Sequence, residues 1–402
     1  MGRRGYPPEF RRKVLDLVEA GRPIAQVANA LGISAQSIYT WRRQDRIDKG
    51  WAISTADQEQ DMALILEVGA TAIRLAHYQH AQYFYDLCDR AGLVVWTELA
   101  MVDRITDSPE FTANARQQVT ELIRQGRNHP SIVFWGLGNE VVESPENPNP
   151  LLTELQALAR GEDPSRLTTF ATHLGDDAGV NWHTDAIAFN RYYGWYGGDL
   201  SQLGPWADAI HAARPTAAIG VSEYGAGGSV MLHSDASPPV PVPETQHFEE
   251  YQARFHEESW RALAARPFIW GKFIWNMFDF ASDRRAEGDL PGRNDKGLVT
   301  YDRTTKKDAF YFYKAVWSDK PVIHIAARRF TPRTAAATAV KVYSNAATVT
   351  LRLNGVSQGA VTAPDHVFVW NGVTLSPGTN HATAEASFGS AVITDAVDWE
   401  LR

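Results

Sequence analysis

The sequence predicts an α/β fold in three parts: a (β/α)8-type barrel lacking its normal first strand, a helix-turn-helix ahead of it and an antiparallel β-sandwich behind it. Three observations carry this reading. Helical and strand-like segments alternate through the middle of the chain with short connections, which argues for a parallel sheet. The front of the chain instead repeats short amphipathic helices, and the end alternates apolar and polar residues between Asn-Gly and Pro-Gly breaks. The expected boundaries are 1–48, 49–320 and 321–402.

In the front part, PPEFRRKVLDLVEAG opens with prolines, which a helix tolerates in its first turn. Apolar side chains recur at Phe10, Val14, Leu17 and Val18 before Gly21 stops it. PIAQVANALGI forms a second helix ended by Gly32, and Ser34 caps a third, SAQSIYTWRRQDR. Gly32 between two such helices is helix-turn-helix spacing. The last helix would carry Gln36, Ser37, Thr40, Arg42 and Arg43 toward a DNA major groove, and a small helical cap is the plainer alternative. Charge points the same way. The net is −8, yet the first fifty residues hold ten Lys and Arg against five Asp and Glu, so only this end suits nucleic acid. The words EFRRKVLDLVEAG, QVANALGIS and SIYTWRRQ resemble the DNA-binding OrfA-type subunit of insertion-sequence transposases over roughly residues 5–48, and a transposase's carboxylate-rich catalytic domain does not follow.

From about Trp51, helix TADQEQDMALILEVGA precedes strand TAIRLA, HAQYFYDLCDRAG precedes LVVWTEL, and a helix through ARQQVTELIRQGRN precedes SIVFWGLGNE. LTTFATHL, AIAFNRYY, AAIGVSEYG and FIWGKFIWNMF complete seven strands, where a closed barrel of this kind has eight. The missing strand is the first, where the helix-turn-helix lies. Past Pro321, VKVYSNAATVTLRLNG, DHVFVWNGVTL and HATAEASFG read as strands of a small sandwich.

Composition narrows the function. Apolar residues at 44% and charged residues at 21% describe a globular chain, and 13 Trp, 14 Tyr and 17 Phe supply flat rings that pack a core or stack on sugars. The single cysteine, Cys88, excludes an internal disulfide and reads as a small buried hydrophobe. No apolar run suggests a leader or a membrane span, so a cytosolic location is expected. No ligand spacing demands a metal, and no cofactor is expected.

A β/α barrel collects its reacting groups at the C-terminal ends of its strands. Two glutamates end apolar strands: Glu140 closes SIVFWGLGNE and Glu223 lies in AAIGVSEYG. A retaining glycosidase needs such a pair, one carboxyl protonating the leaving oxygen and the other attacking the anomeric carbon. The acid needs a raised pKa, for which the second carboxylate and an apolar wall of Trp135 and Trp275 are candidate causes. The competing structural reading is that each glutamate merely caps the next helix. Glu98, ending LVVWTE, is a candidate supporting partner, and Arg127 and His129 are expected to stabilise the turn into the next strand.

From Asp45 to about Ile325 the sequence resembles the TIM-barrel domain of family 2 glycoside hydrolases, which includes β-galactosidases and β-glucuronidases. The carrying motifs are QDRIDKGWA, GATAIRLAHYQH, RNHPSIVFWGLGNE, FNRYYGWY, VSEYGA, FIWNMFDF and GRNDKGLVTYDRTTKKDAFYFYKAVW. The resemblance implies that Glu140 is the acid/base and Glu223 the nucleophile. It also implies that Asn139 contacts the sugar 2-hydroxyl, that Tyr192 holds the nucleophile, that Asn190 and His77 reach substrate, and that Trp275 forms a sugar platform. β-Glucuronidases resemble one another in an Asn-x-Lys pair that grips the sugar carboxylate, and Asn294 and Lys296 match it. NDKGLVTYDR followed by a sandwich also resembles many bacterial β-galactosidases, and β-galactoside is the substrate expected first, with β-glucuronide the alternative.

The residues ahead of Gln44 depart from the family, which carries a jelly-roll domain, an immunoglobulin-like domain and a first strand before this point. Arg43 stands where the family has a histidine, and the sequence reads as two genes joined where their words agree. An open seven-stranded barrel exposes two strand edges, so impaired activity is expected. A DNA-binding protein carrying a passive barrel is therefore a second reading. An inactive carbohydrate-binding remnant is a third, and oligomerisation is left open.

Overall fold

The computed structural model describes residues 6–35, 37, 38, 41, 42, 53–282 and 287–402. Gln36, Thr40, Arg43 and the segment QDRIDKGWA lie outside them. The chain divides into two compact units, 1–62 and 63–402.

In the first unit, helix α1 (Pro8–Glu19) begins on its prolines and α2 (Ile24–Leu31) ends at Gly32, whose φ of 62° supplies the left-handed C-cap. A third helical segment starts at Ala35. Its first turn is capped by Ser34, whose Oγ accepts the Ser37 N–H at 3.0 Å. Val14, Val27, Ala28 and Ile38 form the core, flanked by Phe10, Leu17, Val18 and Trp41. Short amphipathic helices bury their apolar stripes by packing against one another. Arg42 is exposed, and Ser37 is half-buried with its hydroxyl bonded to that of Ser34.

The second unit opens in helix α3 (Thr55–Glu67) and builds a parallel sheet in chain order: β1 (Ala72–Leu75), β2 (Val94–Glu98), β3 (Ile132–Asn139), β4 (Leu167–Thr172), β5 (Ala186–Asn190), β6 (Ala218–Tyr224) and β7 (Ile269–Ile274). All seven expected strands are present. Helices α4 (Gln82–Ala91), α5 (Pro109–Gly126), α6 (Asn149–Glu162), α7 (Leu203–Ala213) and α8 (Glu249–Ala264) form the outer layer. Among the described residues, β1 and β7 have no strand on their outer edges. The barrel is nevertheless bridged through its lumen, where Arg74 on β1 reaches Ser222 O and Glu223 on β6.

The lumen is layered. Trp96, Phe134, Ala171, Ala188 and Phe273 form an apolar floor, and the Arg74 guanidinium lies 4.6 Å over the Trp96 ring. Gly136 makes this layer possible, because a Cβ there would lie 2.4 Å from Trp96 and 2.5 Å from Glu98. Strand alternation sends Phe134 inward and Trp135 outward, where its indole N–H donates to Asp163 at 3.1 Å. Cys88 is fully buried on α4, and burial pushes its thiol up to about 12.

A short hairpin, β8 (Phe280–Ala281) with β9 (Arg293–Asn294), and helix α9 (Asp308–Trp317) lead to the sandwich. One sheet contains β10 (Ile323–Ile325), β11 (Ala337–Ser344) and β14 (Val367–Thr374). The other contains β12 (Val349–Leu353), β13 (Val356–Val361), β15 (Gly378–Phe388) and β16 (Ala391–Leu401). Its core includes Val342, Leu351, Phe368 and Trp399. Glu249 on α8 pairs with Arg329, and Glu257 accepts from Lys341 at 2.7 Å and from the Tyr343 hydroxyl, which ties barrel to sandwich. Among the described residues no helix is long and apolar enough to cross a membrane.

Candidate functional site

A cavity of about 920 Å³ opens at the C-terminal ends of the barrel strands, lined by His77, Asn139, Glu140, Asn190, Tyr192, Glu223, Trp275 and Asn294 among others. Strands β3, β5 and β6 each shift register near this end, between Gly136 and Asn139, Phe189 and Asn190, and Val221 and Tyr224. Such irregularities re-aim side chains that strict alternation would send elsewhere. Glu140 itself adopts a φ of 53°, a left-handed conformation that costs a non-glycine residue about 1 kcal/mol or more. Its N–H holds Ala171 O at 2.8 Å, so the sheet imposes the turn.

Neither glutamate caps a helix. The N-cap of α6 is Pro148 and that of α8 is Phe248. Glu140 Oε1 instead accepts from Asn190 Nδ2 at 2.8 Å and lies 3.7 Å from His173 Nδ1. Asn190 is oriented in turn by the Ser222 hydroxyl, which donates to its Oδ1 at 2.7 Å. Glu223 accepts from Arg74 at 2.8 Å on one oxygen and from the Tyr192 hydroxyl at 2.7 Å on the other. Burial pushes Glu223 above the ordinary carboxylate range, Arg74 and His77 pull it back, and the nearby Glu140 adds to the rise.

Arg74 is the hub that the sequence reading did not single out. It donates twice to Glu98, at 3.0 Å each, and once to Asn139 Oδ1 at 2.8 Å, besides holding Glu223. A buried arginine with this many acceptors keeps its charge. Burial pushes Glu98 up, but Arg74 and His77 outweigh it and hold that carboxyl below its usual range. Because Arg74 occupies the Asn139 carbonyl, the amide N–H2 is the end able to donate to a ligand. The available signal was a charged residue inside the apolar run TAIRLA. Its partners come from β2, β3 and β6, far away in sequence.

The remaining expectations divide. Trp275 lines the cavity, its ring 4.9 Å from His77 and 5.8 Å from Phe280. Trp135 does not, since alternation points it at the helix layer, and the apolar wall expected from it is absent. His129 pairs with Asp89 at 2.7 Å, and Arg166 reaches the carbonyls of Arg127 and His129, so this turn is held as expected although the Arg127 carbonyl contributes rather than its side chain. Asn294 sits in the cavity wall and donates to Glu287 Oε2 at 3.2 Å. Lys296 is buried behind that wall. Its ammonium lies 2.9 Å from Glu287 Oε1 and 5.0 Å from the Trp195 and Tyr196 rings. Asp86, Asp89 and His129 bring ligand-type atoms within 4.8 Å of one another, but Asp89 is occupied by His129 and by the Ser131 N–H.

Comparison with known proteins places this geometry. Residues 41–320 match the family model described as glycosyl hydrolases family 2, TIM barrel domain. Residues 1–64 match a transposase family, and 336–393 match a domain of unknown function. A β-glucuronidase of Bacteroides fragilis is 44% identical over 370 residues, covering 90% of this chain and 53% of that protein. The solved structure of an FMN-binding β-glucuronidase from Facaelibacterium prausnitzii superposes with a TM-score of 0.82 at 42% identity, over 88% of this chain and 54% of that one. A putative β-galactosidase from Bacteroides fragilis superposes with a TM-score of 0.83 at 36% identity, over 87% and 52%. The chain thus spans about half the length of the relatives it matches.

Proposed function

The chain belongs to family 2 of the glycosyl hydrolases through its TIM-barrel domain, and from that premise we propose that it hydrolyses a β-linked glycoside with retention of configuration. Glu223 is the nucleophile. Arg74 and Tyr192 fix its two oxygens and favour the carboxylate that attacks the anomeric carbon. Glu140 is the acid/base: it protonates the departing oxygen and later takes a proton from water, with Asn190 setting its direction. Asn139 donates to the sugar 2-hydroxyl, while Trp275 offers a ring face to the pyranose. The single observation that carries this reading is the convergence of Glu140 and Glu223 in one cavity, each held by its own partners.

Among sugars, β-glucuronide is preferred over the β-galactoside expected from sequence. The Asn294 amide and the Lys296 ammonium already hold one carboxylate together, and a hexuronate presents another of the same shape. Identity to relatives named β-glucuronidase supports the same choice. The galactoside reading keeps one observation, the superposition on a putative β-galactosidase. Side-by-side hydrolysis of 4-nitrophenyl β-D-glucuronide and β-D-galactoside decides between them. Glucuronide turnover should be at least about tenfold faster in kcat/KM and should collapse in Lys296→Met. Faster galactoside turnover overturns the preference, and turnover of neither overturns the enzyme reading.

For residues 1–48 the transposase match and the exposed Arg42 favour DNA binding. Binding to duplex DNA that weakens steeply between about 50 and 200 mM salt supports it, and salt-insensitive or absent binding rejects it.

A further inference from the structure

We propose that Glu287 is an internal occupant of the cavity's acid-recognition pair, so that an acidic sugar binds by displacing it. The inference rests on the reading of Asn294 and Lys296 as that pair, and it adds a residue that controls access to them.

Both oxygens of Glu287 are held. Oε1 lies 2.9 Å from the Lys296 ammonium and Oε2 accepts from the Asn294 amide at 3.2 Å, the two-point grip that a sugar carboxylate would require. Lys296 is 1% exposed and backed by two aromatic rings, so an anion in contact with it is costly to remove. Glu287 supplies it from the connection between β8 and β9, and it forms part of the wall of the same cavity that holds Glu140 and Glu223.

A neutral sugar has nothing to exchange for this carboxylate. Displacing Glu287 with a hydroxyl would take a carboxylate away from a buried ammonium and return nothing of like charge, so neutral sugars bind with Glu287 in place. An acidic sugar replaces one carboxylate by another and leaves the charge balance intact. Being tethered, Glu287 competes at high effective concentration, and the apparent affinity for the acidic sugar falls by the fraction of molecules in which the pair is vacant. Glu287 therefore penalises acidic ligands selectively and sets how much uronate is needed to fill the site.

The test is calorimetric titration of D-glucuronate and D-glucose into the full chain and into Glu287→Ala. The variant should bind glucuronate about tenfold more tightly, while glucose changes less than about twofold. Adding Lys296→Met to Glu287→Ala should remove the gain. Glu287→Gln, which keeps the shape and loses the charge, should move in the same direction by a smaller factor, and this guards against a folding defect in the alanine variant. Unchanged or weaker glucuronate binding in both variants, or an equal gain for both sugars, overturns the proposal. Hydrolysis by the unaltered chain is scored separately. Tighter glucuronate binding without turnover would sink the proposed reaction and leave this inference standing, and turnover without tightening would do the reverse.

Discussion

At the barrel cavity one arginine, Arg74, is shared by two carboxylates, the buried Glu98 and the cavity-lining Glu223, and Glu140 lines the same cavity with Asn190 as its partner. At the junction with the sandwich each carboxylate is answered from the other side: Glu249 by Arg329, Glu257 by Lys341 and Tyr343, and Asp308 by the His324 ring at 3.1 Å and the Ala327 N–H at 2.6 Å. Burial raises Glu249 as it raises Glu223, so depth alone does not separate the two regions. Balance does. The junction distributes charge so that two domains are held together, while the cavity keeps a surplus of negative charge pointed at open space. In the proposed reaction an oxocarbenium-like transition state would carry positive charge at that place, where such an imbalance stabilises it.

The widest gap between the regions should appear in Glu223→Gln. Glycoside hydrolysis is expected to fall by about 10⁴-fold or more, since the neutral amide cannot attack. The melting temperature should hold or rise, because the substitution removes a carboxylate whose ionisation burial disfavours. A clear loss of thermal stability would mean that Glu223 is a structural ion-pair partner of the junction type. Next in size is Arg74→Leu against Arg329→Ala, followed by urea unfolding. Arg74→Leu leaves Glu98 buried without its cation and should cost about 3–5 kcal/mol together with nearly all activity. Arg329→Ala should cost stability at the junction with activity kept within about tenfold. Equal loss of activity in the two would erase the distinction.

The smallest effect is in the pH dependence of stability. Glu98 and Asp163 are held below the ordinary carboxylate range, so each contributes stability that is present above that range and lost as pH falls through its folded value. Glu223 and Glu249 are raised, so theirs is present at low pH and lost as pH rises through their folded values. Melting temperature should drop below about pH 4 and decline gently from about pH 5 toward neutrality. In Glu223→Gln the second slope should flatten. An unchanged slope assigns it elsewhere, to Glu249 or to Asp279, which burial raises to about 6.

Most of the framework could be read in the linear chain, for reasons visible at particular residues. The seven strands are apolar runs bounded by turn residues. Glu140 and Glu223 stand at strand ends, and the stops at Gly21 and Gly32 follow from local backbone chemistry. Trp135 was misjudged because its side of the strand depends on where alternation begins, and Phe134 and Gly136 face the lumen instead. Arg74 and Glu287 were passed over. One looks like an interruption of a strand and the other like a loop acid until their partners arrive from distant positions.

The residues by themselves determined the order of elements, the helix caps and which carboxylates close which strands, because those depend on periodicity and on neighbours a few positions away. Tertiary structure decided which charges share one cavity, how Arg74 divides its donors among three strands, and that Glu287 rather than solvent meets Lys296. These outcomes depend on the curvature of the sheet and on small register shifts at its rim, which bring together side chains as distant in sequence as Arg74 and Glu223, 149 positions apart, and bury them where each must find a partner.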